Sequence, residues 1–324
     1  MKHVFVVISF LLVALSSFAQ DEQAESSATS SFGGDGTLTF SSTGFGDYYS
    51  GGGLNSTTFG SLLNAYLNNT YENGGKFENL LRIDYGVAKI ENTNDEKFTK
   101  ASDVIDLYSK YGTPIKRTES WYYAATLNVL TQLTDTRTAY LGDGQYQELI
   151  GIDGETYGTR QSSLFAPGDI TLAIGVDFNP NETFSAFYGP LSGKLRMVSE
   201  DNIANSQLFG NEFGEKTRFE AGSSAFVNYT ENFLHEDMLS FTTGLKLFSN
   251  YLEDPQNVDL NWNTITSLNP WKFITITYTT DLAYDDNKIF TSFADGELIG
   301  QNKRGLQFRN VLGIGLIHKF GDSK

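Results

Sequence analysis

Alternation of apolar and polar residues with a period of two dominates this chain of 324 residues. It recurs in segments of about ten residues. In the segment 305–320, one face carries Leu306, Phe308, Leu312, Ile314, Leu316 and Phe320. The opposite face carries Gln307, Arg309, Gly313, Gly315 and Lys319. Because successive side chains of a strand point to opposite sides, this pattern predicts a strand with one apolar and one polar face.

Segments of this kind predict twelve strands, near residues 37–47, 56–69, 77–90, 102–112, 120–133, 167–179, 183–197, 217–229, 238–251, 258–268, 271–284 and 305–320. Short connections, such as 73–75 and 179–181, alternate with longer polar ones, such as 134–164 and 198–216. An even strand number with short turns at one end is typical of outer-membrane barrels. A soluble two-sheet sandwich also alternates, but it has no reason to keep its long loops at one end. We therefore predict an all-β fold, a single transmembrane antiparallel up-and-down β-barrel.

The N-terminus predicts export. Residues 1–19 have a basic start, an apolar stretch and small residues before a cut after Ala19, as in a secretory signal peptide. The apolar stretch is too short for a transmembrane anchor. We predict a flexible acidic and Ser/Gly-rich lead-in over residues 20–36, the barrel over 37–320 and a short tail over 321–324. The predicted location is the outer membrane of a Gram-negative bacterium. An even strand number places both termini in the periplasm.

Composition excludes several functions. The chain has 23 Lys and Arg against 39 Asp and Glu, for a net charge of −16, and this argues against nucleic-acid binding. It has no Cys and only three His, and no catalytic arrangement is visible around His235 or His318. We expect no enzymatic activity, no cofactor and no metal site. The acidic segments 94–96, 253–254 and 285–286 are interpreted as solvated loops rather than cation sites.

The same alternation assigns charged residues to the polar face, which would line the barrel interior. The candidates are Arg82, Asp84, Asp106, Lys110, Asp177, Lys194, Arg196, Arg218, Glu220, Lys246, Asp259, Asp281 and Arg309. Seven are basic and six acidic, an almost balanced set. They could line a water-filled pore with a transverse field, or they could form a closed network of ion pairs that fills the barrel. The sequence leaves both interpretations open.

Several motifs occur together: 103–112 (DVIDLYSKYG), 121–123 (WYY), 165–167 (FAP), 189–194 (GPLSGK), 247–251 (LFSNY), 255–262 (PQNVDLNW), 284–286 (YDD) and 307–308 (QF). As a set they resemble a Bacteroidota-type family of outer-membrane β-barrels catalogued as a domain of unknown function. The first strand departs from the family pattern, since Asp47-Tyr48-Tyr49 stands where the family usually has Asn-Trp. The resemblance implies a single outer-membrane barrel and implies no activity.

Three functions are compatible with these features. The first is a passive channel for small polar solutes, and the second is a non-conducting structural, adhesion or docking barrel that acts through its long loops. A membrane-embedded lipid hydrolase is a minor alternative. Expected partners are outer-membrane lipids, the barrel-assembly machinery through the last strand ending at Phe320, and an unidentified outer-surface or periplasmic partner.

Overall fold

A computed structural model describes residues 29–43, 56–90, 98–138, 140–142, 145–234, 238–285, 287, 290–294, 297–303 and 305–321. Its elements are β1 (Thr29–Thr43), β2 (Ser56–Thr70), β3 (Lys76–Ile90), β4 (Thr99–Pro114), β5 (Trp121–Thr131), β6 (Thr136–Arg137), β7 (Tyr140–Gly142), β8 (Gln145–Tyr146), β9 (Arg160–Ser162), β10 (Gly168–Phe178), β11 (Phe184–Met197), α1 (Asp201–Asn205), β12 (Thr217–Phe233), β13 (Leu239–Asn250), β14 (Val258–Trp271), β15 (Ile274–Tyr284), β16 (Phe290–Ala294), β17 (Glu297–Lys303) and β18 (Gln307–Gly321).

Twelve of these strands form a closed barrel in the order β1-β2-β3-β4-β5-β10-β11-β12-β13-β14-β15-β18. Each strand pairs antiparallel with the next, and β1 pairs with β18, from Phe40 opposite Ile314 to Gly33 opposite Gly321, to close the circle. Closure satisfies the backbone groups that an open sheet would leave at its edges. The predicted twelve-stranded up-and-down barrel is confirmed.

The first strand begins earlier than the sequence pattern predicted. It starts at Thr29 rather than near residue 37, so residues 29–36 of the expected lead-in belong to the barrel wall. This stretch contains one apolar residue, Phe32, and three glycines, so it carries almost no alternation. Residues 29–32 are nevertheless paired with β2, and residues 33–36 with both β2 and β18. A Cβ at Gly34 would lie 2.0 Å from the carbonyl oxygen of Asn64. The glycine content that hides the strand therefore permits the close approach of β2. Residues 20–28 and 322–324 lie outside the described residues.

Connections differ in length between the two ends of the barrel, as expected. Residues 71–75, 115–120, 179–183, 234–238 and 272–273 join strands at one end, here called the short-turn end. The start of β1 and the end of β18 lie at this end, because Thr29 pairs with Thr70 and Gly321 with Gly33. The opposite, long-loop end carries the connections that include 132–167 and 198–216.

The outer wall of the barrel is apolar. Large side chains that project from it and remain exposed include Leu38, Phe40, Tyr123, Leu172, Ile174, Leu191, Phe219, Trp262, Leu312, Ile314 and Leu316. They come from strands all round the circle, and Leu191 is 71% exposed. A monomeric soluble protein does not expose so large an apolar surface. The wall is therefore suited to contact with hydrocarbon.

The long loops have structure that the alternation did not predict. Strand β6 pairs with β9, β7 with β8 and β16 with β17. Helix α1 lies in the connection between β11 and β12, where Ile203 and Ala204 pack with Ala166 and Val198 in a small fully buried cluster. The connections 132–167 and 198–216 are thereby joined in one packed unit. Across the described parts of the chain, no helix is both long and apolar enough to cross a membrane.

Candidate functional site in the barrel interior

Ion pairs cross the inside of the barrel between strands that are not neighbours. Lys246 on β13 and Asp106 on β4 are on nearly opposite sides of the circle, and Nζ lies 2.6 Å from Oδ2. Side chains this far apart along the wall can meet only through the interior. All thirteen sequence candidates form ion pairs with one another or with further carboxylates. Twelve of them divide into two networks that differ in exposure, and the thirteenth, Arg218, pairs with Glu220 (3.1 Å).

The first group, the buried network, is built on Lys110, Lys194 and Arg196, each shared by two carboxylates. The pairs of the two lysines are Lys110 with Glu78 (2.7 Å) and Asp177 (2.8 Å), and Lys194 with Glu220 (2.8 Å) and Asp259 (2.6 Å). The cationic side chains are at most 7% exposed. Buried charges are tolerated only when they are paired and hydrogen-bonded, and this network meets that condition.

Arg196 is the most deeply placed cation of the buried network, with 1% of its side chain exposed. Its guanidinium donates two hydrogen bonds to Asp169 (2.8 and 3.1 Å) and one to Asp285 (2.7 Å). Two parallel bonds to one carboxylate fix the orientation of the planar guanidinium. Asp285 was expected in an acidic outer loop, and its position against Arg196 corrects that interpretation. It continues the inward face of β15, two residues after Ala283.

The second group, the exposed network, consists of Arg82, Asp84, Asp106, Lys246, Asp281 and Arg309. Arg309 binds Asp281 (2.6 Å) and Asp84 (3.0 Å), and Arg82 lies 3.3 Å from Asp84 and 3.8 Å from Asp281. Their side chains are 15–33% exposed although they lie inside the barrel. Water therefore reaches this network from within the barrel.

An apolar cluster occupies the interior beside the buried network. Phe187 on β11 stacks on Phe226 on β12 with centroids 5.8 Å apart, and Tyr108 on β4 meets Phe226 edge-on at 5.5 Å. Ala124 and Ala173, on the two strands between, complete the cluster. Small side chains on β5 and β10 leave the space that the rings fill. This side of the interior is thus packed like the core of a soluble protein.

Cavities lined by residues that the structure describes lie inside the barrel, and three of them border charged side chains. One of about 450 Å³ borders most of the exposed network, including Arg82, Asp106, Lys246, Asp281 and Arg309. A neighbouring space of about 120 Å³ shares Lys246 and Asp169 with it and extends to Arg196. A third, of about 410 Å³, lies at the short-turn end, where Asn68, Glu78, Tyr122 and Asn228 contribute to its walls. No residue borders both the first and the third cavity.

Sequence reasoning missed four carboxylates that join these networks: Glu78, Asp169, Glu253 and Asp285. Three of them could have been found by counting every second residue along a strand. Glu78 lies on the same face as Arg82, Asp169 on the same face as Asp177, and Asp285 on the same face as Asp281. Glu253 lies in a loop and pairs with Arg218 (2.5 Å). With these four, the networks and Arg218 hold ten carboxylates for seven cations among the described residues, in contrast to the expected near balance.

Two interior arginines hold the loop after β11 in the mouth of the barrel. Arg218 donates to the carbonyl of Gly210 (2.6 Å) and to the side chain of Asn287 (3.0 Å). Arg196 donates to the carbonyl of Phe209 (3.3 Å). Within the loop between β8 and β9, the Tyr157 hydroxyl donates a hydrogen bond to Asp153 (2.5 Å). That bond raises the pKa of Tyr157 to about 12.

Groups for other chemistry are sparse. His318 is exposed on the outer wall of β18, while His235 and Ser323 lie outside the described residues. In the ranges that the structure covers, no three His, Cys, Asp or Glu side chains are arranged to hold a metal ion.

Comparison with known proteins gives the following relationships. Against solved structures, the chain is similar to the translocator domain of the autotransporter NalP from Neisseria meningitidis, with 11% identity, a TM-score of 0.33 and coverage of 98% of this chain and 97% of that one. It is also similar to the COG4313 outer membrane channel from Pseudomonas putida F1, with 11% identity, a TM-score of 0.36 and coverage of 93% and 98%. No curated protein matches significantly.

A family model gives a match over the first part of the barrel. Residues 40–136, less than a third of the chain, match the family described as "Protein of unknown function (DUF3078)". The motifs at 103–112 and 121–123 lie within this match. The expected resemblance to a family of unknown function is confirmed over these residues.

Proposed function

We propose that this chain is an outer-membrane barrel that allows passive passage of small polar solutes, with the exposed network lining the path. The supporting observation is the solvent exposure of that network inside a closed barrel. Arg309 is 33% and Lys246 27% exposed, whereas Arg196 is 1% exposed. Side chains that only fill a barrel are shielded, as in the buried network. Those that line a wet path are not.

The outer wall supports the membrane assignment. Its apolar side chains face outward from strands of 11–17 residues, long enough to cross a bilayer when tilted. In this proposal the short-turn end and both termini face the periplasm, and the long loops face the exterior. Lipids contact the outer wall, and the last strand, which reaches Phe320, is the segment read by the barrel-assembly machinery.

The ion pairs of the exposed network are suited to a passage rather than to a permanent plug. Partly solvated pairs contribute only about 0–1 kcal/mol each. A permeating solute can therefore displace Lys246 or Arg309 from its carboxylate partner at small energetic cost. Conduction requires binding that is favourable enough to enter and weak enough to leave.

Single-channel recording in a planar bilayer tests the proposal, using the chain without residues 1–19. We expect steady conductance steps and larger steps for Arg309→Ala, because this change removes a side chain that crosses the bore. The matched control is Arg160→Ala, which removes an exposed, ion-paired arginine of the long loops. A bilayer that stays silent while the protein is folded and heat-modifiable on a gel would refute passive passage.

A non-conducting docking barrel is the second candidate, and the packed loop unit favours it. Loops that only cover a mouth do not need a shared core, yet Ala166, Val198 and Ile203 are fully buried between two of them. If the chain acts by docking, deletion within 198–216 will abolish its cellular role and leave a heat-modifiable barrel. Retention of the role after deletion would refute docking through this loop.

A further inference from the structure

We infer that the bore favours small cationic solutes over anions, an inference that rests on the proposed passage function and names its solute class. The first observation is the charge of the interior. Inside the barrel, the two networks together with Arg218 contain nine carboxylates and seven cations, whereas Glu253 lies in a loop and is 64% exposed.

The excess of negative charge has a simple structural origin. Lys110 is shared by Glu78 and Asp177, Lys194 by Glu220 and Asp259, and Arg196 by Asp169 and Asp285. One unit of positive charge faces two carboxylates at Lys110 and at Arg196, whereas Glu220 beside Lys194 also pairs with Arg218 (3.1 Å). The exposed network, by contrast, has three cations and three carboxylates. The excess of negative charge therefore comes from the buried network, whose carboxylate side chains are 1–29% exposed. Charge of one sign in a confined space attracts ions of the opposite sign.

The cavity at the short-turn end has the same sign. Its walls carry Lys76 against Glu78, Glu119 and Glu182. The rest of its lining is mainly amide and hydroxyl side chains, including Asn68 and Asn228. Carbonyl and hydroxyl oxygens can replace water around a passing cation. An anion entering this cavity would meet three carboxylates and one ammonium group.

Reversal potentials under a KCl gradient test the inference with the chain without residues 1–19. We expect K⁺ to be favoured over Cl⁻ by about tenfold at low ionic strength, the lower range for clefts lined by one sign of charge. The preference should fall toward unity at high salt, since the Debye length is then about 3 Å. Tetramethylammonium chloride in place of KCl should still show cation preference.

The variant Glu119→Gln/Glu182→Gln removes two exposed carboxylates from the cavity at the short-turn end and should lower the K⁺ preference. The matched control is Glu148→Gln/Glu155→Gln, which removes two exposed carboxylates from the long-loop end. A K⁺ to Cl⁻ ratio of one or less in conducting channels would overturn the inference while leaving passage intact. An equal loss of preference in the control would attribute selectivity to loop charge and would also overturn it. Absence of any conductance refutes the proposed function itself.

Discussion

The two interior networks use the same residue types at similar distances, yet they differ in what surrounds them. Arg196 donates to Asp169 at 2.8 Å and Arg309 to Asp281 at 2.6 Å, but their exposed fractions are 1% and 33%. The buried network lies beside the Phe187–Phe226 stack, whereas the exposed network borders the cavity of about 450 Å³. Identical chemistry is therefore shielded from water in one place and open to it in the other.

This contrast changes the expectation for Arg196. As one of the predicted inward-facing charges, Arg196 could have lined a water-filled pore or joined a closed network of ion pairs. Its position between Asp169 and Asp285, within reach of the Phe209 carbonyl, gives it a structural task instead. Removing one partner of a buried ion pair is strongly destabilising, while removing one partner of a solvated pair is not.

The largest expected effect is a difference between the two networks in their contribution to the free energy of unfolding. Arg196→Met should lower the free energy of unfolding by about 3–5 kcal/mol, because it withdraws the cation that lies between two buried carboxylates. The matched change Arg309→Met should lower it by less than about 1 kcal/mol. Urea unfolding in lipid vesicles, followed by tryptophan fluorescence, gives both values. Equal losses for the two variants would show that the networks do not differ in this way.

A second test uses the glycines of the wall. A Cβ at Gly222 would lie 1.8 Å from the carbonyl oxygen of Ser249, so Gly222→Ala must move β12 away from β13. At Gly313 the nearest atom would be Thr39 Cβ at 3.3 Å, and the neighbour can yield. We expect a loss of about 1–3 kcal/mol for Gly222→Ala and a smaller one for Gly313→Ala. The same urea unfolding measurement gives both losses of stability. A larger loss for Gly313→Ala than for Gly222→Ala would contradict the strand packing described for the barrel wall.

The third test measures coupling within each network. A double-mutant cycle of Lys110 and Asp177 should give an interaction energy of about 1–3 kcal/mol, since both side chains are buried. The cycle of Lys246 and Asp106 should give less than about 1 kcal/mol, because water competes for both groups. Added salt should weaken the second coupling more than the first. Similar coupling energies with the same salt dependence would remove the distinction.

Most of the fold could be predicted from the sequence because the alternation that marks a barrel strand lies within the strand itself. Strands such as β5 and β10 alternate over 11 residues, and their predicted and observed bounds agree within two residues or so. Strand β1 was misplaced because its first residues carry glycine and serine instead of apolar side chains. Those residues are held by hydrogen bonds to β2 and β18, and the residue pattern within β1 alone does not predict such pairing.

The division of the interior could not be predicted in the same way. Alternation shows that Lys246 and Lys194 both point inward, but not which carboxylates they meet. That depends on strands far apart in sequence, such as β4 for Lys246 and β14 for Lys194. Exposure depends in turn on rings from other strands, because Phe187 and Phe226 fill the space on one side only. The short strands and α1 of the long loops contain too few residues for a periodic pattern to be detected.

The way the loop after β11 is held has a consequence for its variability. Arg196 and Arg218 hold it by the main-chain carbonyls of Phe209 and Gly210, and every residue type supplies a carbonyl. Nearby Phe213 is 62% exposed. The exposed side chains of this loop can therefore vary in sequence without releasing the loop from the barrel.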